Sequence, residues 1–256
     1  MTSSERSVQE FTRQAASFEA AGSHFADLGV LDWIAGHVTV RSGDRILDVA
    51  GGTGQLGRHL ARSGWLCVVA DITPAMLEQG AQAVREQARN DVVFVRADAT
   101  DLPFPDAQYE VIVSRFALHH LADIGAVLDE MWRVLAPGGS VTLIDLLVET
   151  GLVGERADEL ERLRDPSHIR CPRPTELAAL LADRGLRVVG EATRDERLEA
   201  EPWLDRAHPA PEAHDTVLGA LRAEAAGGAP TGLRAVHNDG TLTITHRYHL
   251  IHARQN

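Results

Sequence analysis

The stretch 46–57, ILDVAGGTGQLG, constrains the fold more than any other part of the chain. An apolar run carrying one acid, Asp48, leads into Ala50, Gly51, Gly52, Thr53 and Gly54, and a helix-compatible segment follows. A strand that turns through glycines into a helix offers bare backbone N–H groups and a helix N-terminus to a ligand. The turn therefore reads as a nucleotide-type site. Residues 52–57 also spell G-x-G-x-x-G, a weak signal by itself. Asp71 ends the next apolar run, at the distance expected of a ribose-binding acid.

From residue 45 onward, short apolar strands alternate with helical segments. Strands are predicted at 45–49, 65–70, 92–96, 109–114, 140–148, 186–192 and 241–253. Helices are predicted at 53–62, 75–89, 124–135 and 175–185. Thr73, Asp123 and Thr175 are expected N-caps, Pro74 a first helical residue, and Gly64 a C-terminal glycine. Pro137-Gly138-Gly139 reads as a turn. This rhythm predicts one α/β domain over residues 1–256, doubly wound around a seven-stranded, mostly parallel sheet.

Three segments fall outside the rhythm. In residues 1–40, Phe11, Phe18 and Phe25 recur every seven residues, with Ala15 and Gly22 on the same side, as in an amphipathic helical arm. It either packs on the sheet or forms a lid. Segments 151–173 and 202–232 are insertions expected to line an acceptor pocket, and 223–232 reads as a mobile loop.

Composition narrows the function class. Among 256 residues, 25 Lys and Arg against 37 Asp and Glu leave a formal charge of −12, and no basic patch interrupts it. Nucleic acid is thus not expected as a partner. No apolar run is long enough for a bilayer span, and the acid-bearing N-terminus does not read as a signal peptide. A cytoplasmic protein is expected, working on a small-molecule substrate, with a homodimer one of the open oligomeric states. Cys67 and Cys171 lie far apart without metal-ligand spacing, and Cys67 belongs to an apolar run. No metal is expected, from these or from His246, His249 and His252, of which only the first and last share a strand face.

Between a nicotinamide dinucleotide and S-adenosylmethionine (SAM), four features favour SAM. Asp48 stands before the glycines, where a carboxylate can hold a methionyl ammonium. Asp98, after the third strand, can accept from an adenine amino group. The Pro-Gly-Gly turn leads into the fifth strand, and the last strand arrives after a long excursion, as for antiparallel insertion beside the fifth.

The segments ILDVAGGTG, VVADITPAMLEQG, VRADATDLPFPDAQYEVIVSRFALHHL and LDEMWRVLAPGG, in this order, resemble the motifs of class I SAM-dependent methyltransferases. The subgroup resembled is the small-molecule type that includes the ubiquinone and menaquinone C-methyltransferases. Ala50 departs from the commoner glycine, and LRDPSHIR is similar to a segment of uncharacterised bacterial methyltransferase-like proteins. The resemblance implies a Rossmann-like methyltransferase fold with an N-terminal helical lid and SAM as cofactor. It implies that Ala50, Gly51, Gly52 and Gly54 bring backbone to the methionyl and ribose parts, and that Asp48 serves the amino group. Asp71 would take the ribose hydroxyls, Ile72 and Met76 flank the adenine, and Asp98 and Ala99 meet its edge. Ser114 and Arg115 would contact the methionine end through backbone.

A phenol, enol or carbon acid needs a base to accept a methyl group, and histidine suits that work. His119, His120 and His168 are the candidates, and each also reads as a structural residue. Arg170 either holds an acidic substrate group or pairs with Asp165. The function expected is methyl transfer to a small, largely apolar metabolite, with the O, C or N acceptor open. The alternatives are a SAM-binding fold recruited for cyclisation or rearrangement, a dehydrogenase, and a SAM sensor.

Overall fold

The computed structural model describes residues 2–19, 24–61 and 66–255. The expected Gly64 terminus, Gly22, the last residue of the helix expected at 53–62 and the first residue of the strand expected at 65–70 lie outside them.

The chain opens with α1 (Ser3–Phe18), started by a capping box in which Thr2 Oγ1 accepts from Glu5 N and Glu5 returns a bond to Thr2 N. Then come α2 (Leu28–Ala35), β1 (Ile46–Val49), α3 (Gln55–Leu60), β2 (Cys67–Asp71), α4 (Pro74–Glu86), β3 (Val92–Arg96) and β4 (Tyr109–Arg115). The second half comprises α5 (Ile124–Val134), β5 (Leu135–Leu146), α6 (Leu152–Arg164), α7 (Pro174–Ala182), β6 (Leu186–Glu199), α8 (Ala200–Asp205), α9 (Pro211–Ala225), β7 (Val236–Asn238) and β8 (Thr241–Gln255). Asp123 caps α5 through Ala126 N, as its position predicts. Thr73 makes no side-chain capping bond, so α4 starts on the preset φ of Pro74. Likewise α7 opens on Pro174, one residue ahead of Thr175.

The strands order as β3-β2-β1-β4-β5-β8-β6. β1 to β5 pair in parallel, and β8 inserts antiparallel between β5 and β6, as expected for the last strand. The sheet has eight strands rather than seven, because β7 folds back on β8 through Asp239 and Gly240, both at positive φ. Pro137-Gly138-Gly139 is not a free turn. β5 starts at Leu135 opposite Tyr109 and carries these residues past a register shift. β6 runs on to Glu199, well past its predicted end, since it pairs with β8 over its whole length.

Two apolar layers cover the sheet. Val127, Leu128 and Met131 of α5 and Leu177 and Leu181 of α7 pack on one face. Val30, Leu31 and Ile34 of α2, with Leu56, Leu60 and Val84, pack on the other. The outer halves of β6 and β8 project beyond this sandwich and carry a third cluster, Leu160, Trp203, Leu204, Val217, Leu221 and Ile244, which binds α6, α8 and α9 into a cap. Segment 223–232 is tied down rather than loose: Thr231 Oγ1 donates to Glu224, and a Cβ on Gly232 would stand 2.8 Å from Val153 O.

Candidate cofactor and acceptor site

β1 and β4 are neighbours, whereas the chain leaves β1 toward β2 on the other side. Ligands of open α/β sheets bind at such a reversal of strand order, beyond the carboxyl ends of the strands. The glycine turn after β1 stands there. A Cβ on Gly51 would lie 2.6 Å from Asp48 Cγ, so only glycine lets the loop pass over the acid. Ala50 holds φ at 51°, a left-handed conformation that glycine adopts more cheaply. Gly54 supports the turn from behind: it sits at φ 72°, and a Cβ would meet Val69 Cγ2 at 2.7 Å.

Two adjoining cavities open at this reversal. The smaller, with about 670 Å³ of empty space, is walled by Ala50, Asp71, Ile72, Asp98 and Ala99. The larger, with about 1270 Å³ including its mouth, is walled by Asp48, Gly51, Gly52, Met76 and Arg115 on the glycine side. Gly54 and Ser114 line neither. Ser114 is buried in β4, and its neighbour Arg115 takes the cavity side because successive strand residues alternate faces.

The acids of this half are tied to backbone. Asp71 accepts from Gly52 N at 2.9 Å and Thr73 N at 2.8 Å, while burial raises its pKa against these two donors. Asp48 Oδ2 accepts from Gly57 N at 2.9 Å, and Asp48 Oδ1 is buried with no partner. Burial pushes Asp48 up to about 7, opposed by the Gly57 bond and by Arg115. An unpartnered buried carboxylate oxygen beside a glycine cradle fits a cationic amino group. Asp98 is exposed, and its Oδ1 accepts from the Thr100 N–H and hydroxyl, leaving Oδ2 for a ligand. Arg115 works through its side chain: Nη1 donates to Phe25 O at 2.9 Å and Nη2 to Gln55 Oε1 at 3.0 Å.

The other half of the larger cavity gathers the three candidate histidines, each backed by an acid. His119 Nδ1 meets Asp145 Oδ1 at 2.5 Å, and His119 N donates to Asp145 Oδ2. Burial opposes the imidazolium, but Asp145 outweighs it, so His119 is raised above its ordinary value and Asp145 is lowered. His168 Nε2 lies 2.9 Å from Asp158 Oδ1. His120 Nδ1 lies 3.0 Å from Ser167 Oγ, which donates to Asp165 Oδ1. Burial, reinforced by His119, drives His120 well below the ordinary range and keeps it neutral. The His119 and His168 rings stand 5.3 Å apart.

Asp158, His168 and Cys171 are close enough together to hold an ion. Asp158 is already engaged by His168, Cys171 N and Arg173, and burial keeps the Cys171 thiol protonated. The C-terminal histidines do not converge: His246 faces Glu161, His249 Glu191 and His252 Thr142. Arg170 turns out to pair with Glu176, not with Asp165.

Helix α1 lies across both cavities. Ser3, Ser4 and Ser7 border the smaller, and Phe11, Gln14 and Phe18 the larger. Phe11 sets its edge on His120 at 4.8 Å, Phe18 stacks on Phe25 at 4.0 Å, and Gln14 Nε2 donates to Asp165 Oδ2. Both insertions reach the larger cavity as well, through Glu161, Arg164, Asp165 and His168 and through Trp203 and Arg206.

Asp145, Asp158, Glu161, Trp203 and Arg206 were not singled out from the sequence. Asp145 had a readable signal, an acid inside the apolar strand LIDLL, the same sign that marks Asp48. The others had none, because they reach the site only through the packing of the cap.

Residues 47–143, which contain the whole cradle, match the methyltransferase domain family. That match covers the strands and loops that build the cradle, and the rest of the chain lies outside it. The chain is 29% identical over 167 residues, 65% of this chain and 66% of the relative, to the uncharacterized methyltransferase YcgJ of Bacillus subtilis. It is 42% identical over 104 residues, 41% of this chain and 42% of the relative, to the demethylmenaquinone methyltransferase of Clavibacter sepedonicus. The sequence matches thus span from about two-fifths to just under two-thirds of these relatives' length. The YcgJ crystal structure superposes with a TM-score of 0.80 at 24% identity, covering 90% of this chain and 99% of YcgJ. The [4+2]-cyclase SpnF shares the fold at a TM-score of 0.62 and 21% identity, covering 93% of this chain and 83% of SpnF. SAM is the cofactor that a methyltransferase domain implies, and the unpartnered Asp48 oxygen beside the glycine turn fits its amino group. Among the described residues, no helix is long and apolar enough to cross a membrane.

Proposed function

We propose that this chain transfers the methyl group of SAM to a small, largely apolar metabolite, with His119 as the general base. The observation that carries this reading is the His119–Asp145 pair on the wall of the cavity that begins at the glycine cradle. The carboxylate fixes the imidazole with Nδ1 protonated, which leaves Nε2 as the lone-pair acceptor. SAM, when bound, supplies a methyl carbon activated by its sulfonium. The chain's own part is alignment, exclusion of water and removal of the acceptor proton.

Several residues support that division of work. Phe11, Phe18, Phe25, Phe116 and Tyr248 give the cavity an apolar wall suited to a planar or hydrocarbon body. Helix α1, joined across the cavity by Gln14, shields that body from water. His168 stands beside His119 and can relay or share the proton. His120, held neutral, is better suited to shaping the wall under Phe11.

The test is incubation with SAM and a set of small phenolic, enolic and amine acceptors, read by mass spectrometry. A product heavier by one methyl group is expected. A product isomeric with its precursor would sink methyl transfer in favour of cyclisation, the chemistry for which the structurally similar SpnF is named. For His119→Ala, turnover should fall about 10²- to 10⁴-fold with SAM affinity retained, the usual contribution of a positioned base.

A further inference from the structure

The cap end of the larger cavity carries a charge pattern that an apolar acceptor alone leaves without purpose. Three arginines line the cavity. Arg115 is spent on Phe25 O and Gln55. Arg164 is spent on Glu161 at 3.1 Å and on Trp203 O at 3.1 Å, with its guanidinium 4.6 Å from the Trp203 ring. Arg206 differs. Among the described residues, its Nε and Nη2 are buried without a hydrogen-bond partner, and the Phe25 ring lies 5.7 Å from the guanidinium carbon.

Neighbouring donors are also unspent. Trp203 is 1% exposed, and its Nε1 is buried without a partner. His246 Nε2 stands 3.3 Å from Glu161 Oε1, an ion-pair separation in which neither atom reaches hydrogen-bond geometry. Glu161 lies near enough to act on the charge of Arg206, but among the described residues no carboxylate hydrogen-bonds its Nε or Nη2. Glu161 is matched by Arg164 and His246, and Asp165 accepts from Gln14, Ser167 N and Ser167 Oγ. Buried donors without partners are costly unless a ligand supplies the acceptor, and a guanidinium fork matches the two oxygens of a carboxylate.

We propose that Arg206, with Trp203 beside it, forms an anion subsite that binds a carboxylate carried by the acceptor, so that the substrate class is a planar, largely apolar acid. Phe25 connects the two requirements: it stacks on Phe18 in the aromatic wall and lies under the Arg206 guanidinium. An aryl or polyenyl acid would lay its body along that wall and its carboxylate on the cap. This rests on the reading of the cavity as the acceptor site, but its test needs no turnover.

The probes are benzoate, cinnamate and 2-naphthoate against their neutral primary amides, titrated by calorimetry into protein saturated with S-adenosylhomocysteine. Wild type should bind the acids at least tenfold more tightly than the amides. Arg206→Leu should abolish that preference, lowering acid affinity about 10- to 100-fold while leaving amide affinity unchanged. Arg206→Lys should recover part of the preference, because it keeps the charge without the fork. The affinity of each variant for S-adenosylhomocysteine reports whether the fold and cradle survive, and it should match wild type. Equal binding of acids and amides by wild type would overturn the proposal. So would an acid preference that persists in Arg206→Leu, or a parallel loss of S-adenosylhomocysteine affinity in that variant, which would make the cofactor's own carboxylate the anion recognised. Absence of methyl transfer in the acceptor screen, with the acid preference intact, would instead refute the reaction and keep the subsite.

Discussion

At the scale of single residues, the site is governed by charges taken out of water. Asp48 shows the effect most directly. Ionised and buried, with one oxygen unpartnered, it is costly in the free protein and compensated when a cation arrives. The sign follows from its raised pKa of about 7. The folded state pays nothing for Asp48 at low pH, where both states are protonated, and pays increasingly as pH rises through the ordinary carboxylate range toward 7. Binding of an ammonium demands the ionised form, so affinity moves the opposite way. Between pH 7 and pH 5.5, where the cofactor's own amino group stays charged, SAM affinity should fall on the order of tenfold. Isothermal titration across that range checks this, and Asp48→Asn should bind more weakly at pH 7 with a flat profile. A flat profile in the wild type would place the ammonium elsewhere.

The elements show how local rules place those residues. The apolar run of β1 is buried throughout, so its one acid is carried inside. The loop after it turns on Gly51 and Gly54 for reasons a sequence displays, close approach and a left-handed φ. Helix α1 is different. Phe11 and Phe18 announce its apolar stripe, but Phe25, the third of the expected heptad, lies beyond the helix and joins His120, Gln55 and Asp165 in the surface that receives it. Arg115 is the fastening between the arm and the sheet. Arg115→Met removes two hydrogen bonds that hold Phe25 and Gln55, and amide exchange in α1 should accelerate relative to β4 and β5. Unchanged exchange in α1 would show that the aromatic stack alone holds the arm.

Over the whole molecule, the sheet and the cap are separate apolar clusters joined by strands that run through both. β6 runs from the sheet out to the cap and β8 runs from the cap back into the sheet, so loosening the cap pulls on pairing that the sheet also uses. Leu221 is fully buried in the cap cluster. Leu221→Ala should cost about 2–5 kcal/mol. Urea unfolding followed by fluorescence of Trp203 and by far-ultraviolet circular dichroism should still give one coincident transition. Two separated transitions would mean that the cap folds on its own.

The sequence alone determined the cofactor half of this protein. Strand, glycine turn, helix and the acid that ends the next strand follow from short-range geometry within residues 46–71, a span that a reading of the sequence can hold at once. The parallel sheet and the antiparallel last strand were legible for the same reason, although β7 and the full length of β6 were not, since pairing with β8 rather than local propensity creates them. The acceptor half was decided only by tertiary structure. His119 was visible as a candidate, but the carboxylate that orients it lies 26 residues away on the next strand. Arg206 looked like one charge among many in an excursion rich in Ala, Gly and Pro. It became a site only when the packing of α8 buried its donors without giving them partners. Burial and long-range juxtaposition are sums over the whole fold, and no window of sequence contains them.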